Sequence, residues 1–474
     1  MRNNHLRLPF ARAIRGPALA CILLSLSASA ESVEIASLKE LAEYAGQSGN
    51  TVTMKPGVYK LIEFLPLDSM AGRRERKEFQ FLTFSGSNNV FHLAGVTIEV
   101  DTALRQALRA PIHNNEFVVS GHSNTLTGVT ITCIGDGTSA AGALISITGD
   151  GTTLRDCTFH VRGSFPYGYG DLFGKGSGNV INHRKHSGVH MVGSNTRLYG
   201  CRLYMRSFGH GYFVQGGTNH YFENCYVEGE MRSTDAMLAE TSGPAFDVDF
   251  RTVGRNREGE HRVLPGYMKS LAEDGFRTYG QVRNLTFINC TAKNMRGGFE
   301  LRTREGVRVE NGTVIGCERG FWMSGGSVLA NSRGDAQYGP LLFVEGDNVT
   351  ADVELLPAES EMNVHALATI HGSGHRVTIK PSAQRERTRP TPIRIGYGTP
   401  AAGEGMASIP ESPARAVVLR NETTMPVEIG ARASECEIAT RGPVRANRGR
   451  DISITELRQQ PSANRPPGGP EIPD

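Results

Sequence analysis

Nine times between residues 86 and 372 the chain returns to a glycine followed by short runs of alternating apolar and polar residues. GSNNVFHLAGVTIEV starts at Gly86, GHSNTLTGVTITC at Gly121, GDGTTLRDCTFHV at Gly149 and GSNTRLYGCRLYM at Gly193. GTNHYFENCYVEG follows at Gly217, GQVRNLTFINCTAKN at Gly280 and GVRVENGTVIGC at Gly306, with weaker copies at Gly346 and Gly372. The short spacings, 24 to 28 residues, define one unit, and the longer ones read as that unit plus a loop. A unit of short β-branched strands cannot bury its apolar face alone, so such units stack into a solenoid. The cysteines keep the same phase. Cys157, Cys201 and Cys225 each lie eight residues after their glycine, and Cys290 and Cys317 hold a similar place. No CxxC pair accompanies them, which favours a buried ladder of free thiols over a metal or disulfide set.

The flanks differ from this pattern. Arg2, Arg7, Arg12 and Arg15 precede the apolar run ALACILLSL and the small residues Ala28, Ser29 and Ala30. That is the layout of a secretory leader over 1–30, too short to span a bilayer, and it implies a periplasmic or extracellular protein. The last stretch, 456–474, is too Pro-rich to pack and reads as a disordered tail. Between them, 31–455 reads as one solenoid with insertions at about 160–185 and 229–279. Strand-like pieces after residue 387 are compatible with terminal coils or a small appended sheet. Lys and Arg total 51 against 48 Asp and Glu, so no global field points to nucleic acid, and no later segment is apolar enough for a membrane span.

Near the N-terminus, SLKELAEYAG places Ser37 and Glu40 as a capping box on a short amphipathic helix, and NTVTMKPGVYKL follows as strand, turn and strand. The helix, the MKPGVY turn and the NC-type rungs resemble the right-handed parallel β-helix, or pectin-lyase-like, superfamily. The resemblance implies an all-β solenoid with a short N-terminal capping helix. Many members of that superfamily are polysaccharide lyases that use a Lys, Arg or His base and neutralise the substrate with arginine or calcium.

Four rungs share a glycine: GVHMV at 188–192, GYFVQ at 211–215, GFELR at 298–302 and GFWMS at 320–324. Strict alternation sends Val189, Met191, Val214, Phe299, Leu301, Phe321 and Met323 inward, with Tyr212 on the same side. His190, Phe213, Glu300 and Trp322 then form one outward column, and Val192, Gln215, Arg302 and Ser324 the next. The corner before the glycine is cationic, with Lys185, His186, His210, Arg296 and Arg319. MRS at 205–207 and 231–233 and MRG at 295–297 suggest that Arg206, Arg232 and Arg296 recur on successive coils. Arginines stacked about 4.8 Å apart repel unless an anion lies across them. Surface pairing with Glu228, Glu230 and Glu300 would be the plain alternative.

These columns suit an acidic polysaccharide. Arg184, His186, Arg206, Arg232, Arg296, Glu300 and Arg302 would bind it, with Trp322, Phe213 and the FPYGYG segment at 165–170 as surfaces for sugar rings. For β-elimination, Lys185 or His210 would be the base, and His190 or Tyr212 would protonate the leaving oxygen. His183, His186 and His190 do not support zinc, because a strand separates His186 from His190 by about 13 Å. Calcium is the cofactor left open, with Asp235, Glu240, Asp247 and Asp249 as oxygen donors, although the aspartate pattern of pectate lyases is not visible. A glycoside hydrolase using Glu230, Asp235 and Glu300 is the second reading, and a non-catalytic carbohydrate-binding adhesin the third.

Overall fold

The computed structural model describes residues 32–458 apart from 112–113, 139–141, 176–177, 304, 361, 364, 383–388 and 399–409. The expected leader and nearly all of the expected tail lie outside the described residues. Among the described residues thirteen strands, from Leu82–Phe84 to Val444–Asn447, form one sheet whose spatial order is the order of the chain. Every pairing in it is parallel, as in Ser187–Met191 beside Tyr212–Val214 and Gly297–Leu301 beside Arg319–Met323. A second, 25-stranded set covers the remaining faces, again by parallel pairing of each coil with the next. This is a parallel β-helix. The C-terminal pieces Val418–Asn421, Ala433–Thr440 and Arg450–Glu456 continue the same pairing as terminal coils.

The anchor glycines explain the repeat. A Cβ built on Gly121 would lie 1.8 Å from the carbonyl oxygen of Gly86, one on Gly149 2.0 Å from that of Gly121, and one on Gly193 2.5 Å from that of Gly149. Successive coils therefore touch backbone to backbone at this corner, and any side chain would force them apart. Other corners use asparagine in the left-handed region, at Asn224, Asn289 and Asn311. Their side-chain amides bond from coil to coil, Asn289 to Asn224 at 3.2 Å and Asn311 to Asn289 at 2.9 Å.

Inside the coils, Tyr212, Phe276, Phe299 and Phe321 stack with centroid spacings of 5.3, 4.6 and 5.2 Å. Cys157, Cys201, Cys225, Cys290 and Cys317 are buried free thiols in the same core. The helix Leu38–Ala45 forms with its capping box: Ser37 Oγ accepts from the Glu40 amide and donates to the Glu40 carboxylate. Leu38, Leu41 and Ala45 join the core.

The two expected insertions share one small second core, built from Tyr169, Leu172 and Phe173 of the first and Met237, Phe250 and Val263 of the second. The second insertion ends earlier than expected. Asp274–Thr278, inside the 229–279 stretch, is a strand of the thirteen-stranded sheet, between Tyr212–Val214 and Gly297–Leu301. The stacked rings make one expectation direct. Phe299→Ala empties a fully buried position between two rings and is expected to lower stability by about 3–5 kcal/mol, read from the midpoint of urea unfolding.

Candidate active site

The register places His190, Phe213, Arg277, Glu300 and Trp322 side by side on the outer face of the sheet. One strand-start column runs Asp274, Gly297, Arg319. Gly297 is a gap in it. A Cβ there would lie 2.7 Å from Glu300 Oε2 and 2.8 Å from Asp274 Oδ1, so the two carboxyl groups meet across the missing side chain and hydrogen-bond.

A charge network is built around this pair. Arg296 reaches Asp274 Oδ1 at 3.0 Å and Asp171 Oδ2 at 3.3 Å. Arg319 bridges Glu300 at 2.9 Å and Asp274 at 3.4 Å, Arg277 lies 2.8 Å from Glu300, and Arg302 also pairs with Glu300. Lys185 donates to Glu273 at 2.7 Å. Lys269 joins the inserted lobe to the coils through Asp171 at 2.9 Å and Glu318 at 2.8 Å. His210 lies in the middle, with Nδ1 3.3 Å from Asp274 Oδ2 and Nε2 3.2 Å from the Tyr279 hydroxyl. The carboxylates of Asp274, Glu273 and Glu300 are buried, whereas Lys185 and Arg302 retain about a quarter to a third of their side-chain surface.

Burial by itself would raise Asp274, but Arg296, the bond to Glu300 and His210 hold it well below the usual carboxylate range. Glu273 behaves alike: burial pushes upward, and His210, Lys185 and Arg296 bring it down to about 2. Glu300 goes the other way, raised by burial and by the charge of Asp274 against the pull of Arg319. Of the pair, Glu300 takes up a proton first.

Of the residues expected from sequence, the structure brings Lys185, His210, Arg296, Glu300 and Arg302 into this network. His190 adjoins it, stacked on Phe213 at 4.6 Å with Nδ1 3.0 Å from Ser146 Oγ. Others require correction. Tyr212 points into the core, 1% exposed, with its hydroxyl on the Tyr226 carbonyl, so it cannot meet substrate. His186 is fully buried between the Arg162 carbonyl and Glu116, and burial keeps its imidazole pKa low. The MRS and MRG arginines do not stack. Arg206 pairs with Glu230 at the surface. Arg232 sits on an antiparallel ribbon and is held by Glu240, the Gly168 carbonyl and the Tyr169 ring. Only Arg296 reaches the network.

Trp322 faces outward as expected but is 8% exposed, because the Arg302 guanidinium lies 3.7 Å over its ring. It supports an arginine instead of a sugar. Within FPYGYG, Tyr169 is buried in the lobe and Tyr167 bonds to Glu230. Arg184 lies apart, exposed at the edge of a neighbouring cleft. His183, His186 and His190 diverge, and no group of three or more His, Cys, Asp or Glu among the described residues could hold a metal ion. Asp235 instead accepts from the Gly266 amide, and Glu240 bonds Tyr169 and Arg232.

Glu273, Asp274, Arg277 and Tyr279 were not expected from sequence. Their signal is EDGFRTYG, whose Gly-Phe-Arg-Thr at 275–278 repeats the glycine and alternation of the four aligned rungs, inside a stretch assigned to a loop. Asp171 has no such signal, since the folding of the lobe brings it in.

No protein-family model matches this chain, and no characterised sequence matches it. Solved structures share its architecture at low identity. The alginate lyase AlyF-OU02 in complex with G6 superposes with a TM-score of 0.48 and 12% identity, over 90% of this chain and 88% of that one. A PL6 alginate lyase in complex with a trisaccharide gives 0.46 and 11%, over 91% and 86%. The mannuronan C-5 epimerase AlgE6 A-module of Azotobacter vinelandii gives 0.44 and 12%, over 89% and 93%. At this level of likeness the chemistry of the site rests on its own atoms.

Two expectations follow from the network. Asp274→Asn removes the charge shared by Arg296, Arg319 and His210, and is expected to cost about 3–5 kcal/mol. Glu300→Gln keeps the shape of the more readily protonated partner and is expected to cost clearly less, both measured by urea unfolding at neutral pH. Acid unfolding should show two windows. His183, half-buried beside Lys185, has its pKa lowered from 6.5 to about 4, so the unfolded chain binds the extra proton and stability falls as pH drops through that interval. Glu273, lowered from 4.5 to about 2, removes further stability in the interval below. Glu300, being raised, opposes this. In melting temperature against pH, His183→Gln is expected to make the upper window shallower, with His365, also lowered to about 4, keeping part of it, and Glu273→Gln to flatten the lower.

Proposed function

We propose that this protein is a carbohydrate-active enzyme, a lyase that cleaves a uronate-containing polysaccharide by β-elimination. The observation that carries this reading is the Asp274–His210–Tyr279 chain, set among arginines whose inner sides are held by buried carboxylates. Elimination needs a cation against the substrate carboxylate, a base beside the adjacent carbon and a proton for the leaving oxygen. Arg302 and Lys185, at the exposed edge of the network, would receive the carboxylate. Asp274 would orient His210 through Nδ1, leaving Nε2 as base.

His210 removes the proton from the carbon next to the carboxylate. That electron pair forms a carbon–carbon double bond as the glycosidic carbon–oxygen bond breaks. Tyr279 donates its proton to the leaving oxygen and regains one from His210 across their 3.2 Å contact. Tyr279 thus takes the role expected of Tyr212, and Lys185, engaged with Glu273, binds the substrate in place of acting as base. The leader-like N-terminus fits a substrate met outside the cytoplasm. The hydrolase residues Glu230, Asp235 and Glu300 have separate settings: Glu230 bonds Arg206 and Tyr167, Asp235 a backbone amide, and Glu300 the buried network. Asp274 and Glu300 touch each other, closer than the roughly 5–9.5 Å at which paired carboxylates flank a glycosidic bond.

The test is the ultraviolet absorbance of the new conjugated double bond while the protein meets alginate, pectate, glucuronan, chondroitin, hyaluronan and ulvan. A rise with one polymer is expected, reduced roughly 10²–10⁴-fold in kcat by His210→Ala and by Tyr279→Phe. New reducing ends without the absorbance would show hydrolysis instead.

A further inference from the structure

Beside the charge network, toward the N-terminal coils, lies a concavity of about 1070 Å³. It sits between the helices Met70–Glu75 and Thr102–Leu108 and the segment that leads into the Ser187–Met191 strand. Nothing in the proposed chemistry uses it. Its size is at the upper end for pockets that enclose drug-sized ligands, which is room for an oligosaccharide.

Arg74, Arg109 and Arg184 line it. None of the three guanidiniums has a hydrogen-bond or ion-pair partner among the described residues. The contrast with Arg76, two residues from Arg74 and paired with Glu78 at 2.7 Å, is local and direct. The deeper Arg105 is occupied by Glu116 and the Asn114 carbonyl. Among the described residues of the lining Asp68 is the one acidic side chain, so these residues carry an uncompensated positive charge.

Side-chain packing links the cleft wall to the network. His183 forms part of its wall and packs edge-on against Phe208 at 5.0 Å, and Lys185 lies 5.1 Å over the same ring before reaching Glu273. Both ring nitrogens of His183 are buried without a hydrogen-bond partner among the described residues, an unsatisfied polar group in the wall of the cleft. Burial and Lys185 push its pKa down to about 4, so at neutral pH it is a neutral polar contact between cations. The arginine fork matches a carboxylate, and three arginines around one concavity match a ligand with repeated carboxylates.

We propose that this cleft is a binding site for non-reacting units of the anionic polysaccharide, engaged through carboxylates by Arg74, Arg109 and Arg184. The substrate class rests on the lyase reading; the cleft's affinity for acidic oligosaccharides does not need cleavage to occur. Binding energy gathered there holds the chain while the scissile bond lies at His210.

The test is calorimetric titration of the His210→Ala protein with tetrasaccharides and disaccharides of polymannuronate, polyguluronate and polygalacturonate. Arg109→Glu and Arg184→Glu are then added singly, with the same change at the exposed Arg376 as control. At least one tetrasaccharide is expected to bind more tightly than its disaccharide. Its affinity should fall about tenfold or more in either cleft variant, weaken with salt, and stay within twofold in the Arg376 control. Circular dichroism and melting temperature confirm that the variants are folded. Tetrasaccharide affinity that survives both reversals, or no binding by any oligosaccharide, overturns the proposal. Affinity lost in the cleft variants, with no double bond ever formed by the parent enzyme, keeps the cleft and removes the lyase reading.

Discussion

Everything in this molecule depends on backbone meeting backbone at one corner of the coil. With carbonyl oxygens of one glycine lying where the next coil's Cβ would be, adjacent coils stack at the spacing of hydrogen-bonded strands. That contact sets the register of the thirteen-stranded sheet, and the register decides which side chains become neighbours. Phenylalanines from coils far apart in sequence stack within the core, and charged residues from the same coils form rows outside it. A slip of one residue would exchange the two faces.

On the outer face the structure makes an unusual concentration of charge tolerable by making it mutual. Asp274 keeps its charge beside Glu300 because guanidiniums surround it, and those guanidiniums could not be packed together without the carboxyl groups. Gly297 is what allows this arrangement, since a methyl group at that position would occupy the space the carboxyl oxygens share. The outcome is a rigid anionic floor beneath a cationic edge, with His210 linking the two. Arg302 is positioned on both sides, by Glu300 at one end and by the Trp322 ring beneath it. Fixed charge of this kind can stabilise a developing anion without rearranging during the reaction.

The solenoid and the outward column could be read in the sequence because period-two alternation and anchor glycines are local signals. His190, Phe213, Glu300 and Trp322 occupy the column that alternation assigns them. Three kinds of information were not local. Tyr212 already lay inward by the same alternation, and its polar hydroxyl made it look like a catalytic group although it is core. The MRS and MRG likeness joined arginines whose flanking segments pair differently, one on a coil, one on an antiparallel ribbon and one at a corner. The Asp274–Thr278 rung is hidden by the long insertion before it, and with it Asp274 and Arg277 of the charge network. Asp171 depends on how two distant insertions pack together, which no periodicity encodes.

The inserted lobe changes how the solenoid behaves as a stack. Repeat proteins are close to one-dimensional, with each unit sensing only its neighbours, so coils can fray from an end one at a time. Here Asp171, from the first insertion, is tied to Lys269 of the second and to Arg296 of a later coil, while Lys269 also grips Glu318 of the coil after that. These ties reach across several coils at once and convert the middle of the stack into a single cooperative block. Coils beyond that block remain additive. A whole turn gained or lost beyond the block therefore leaves the ties that enclose the charge network in place.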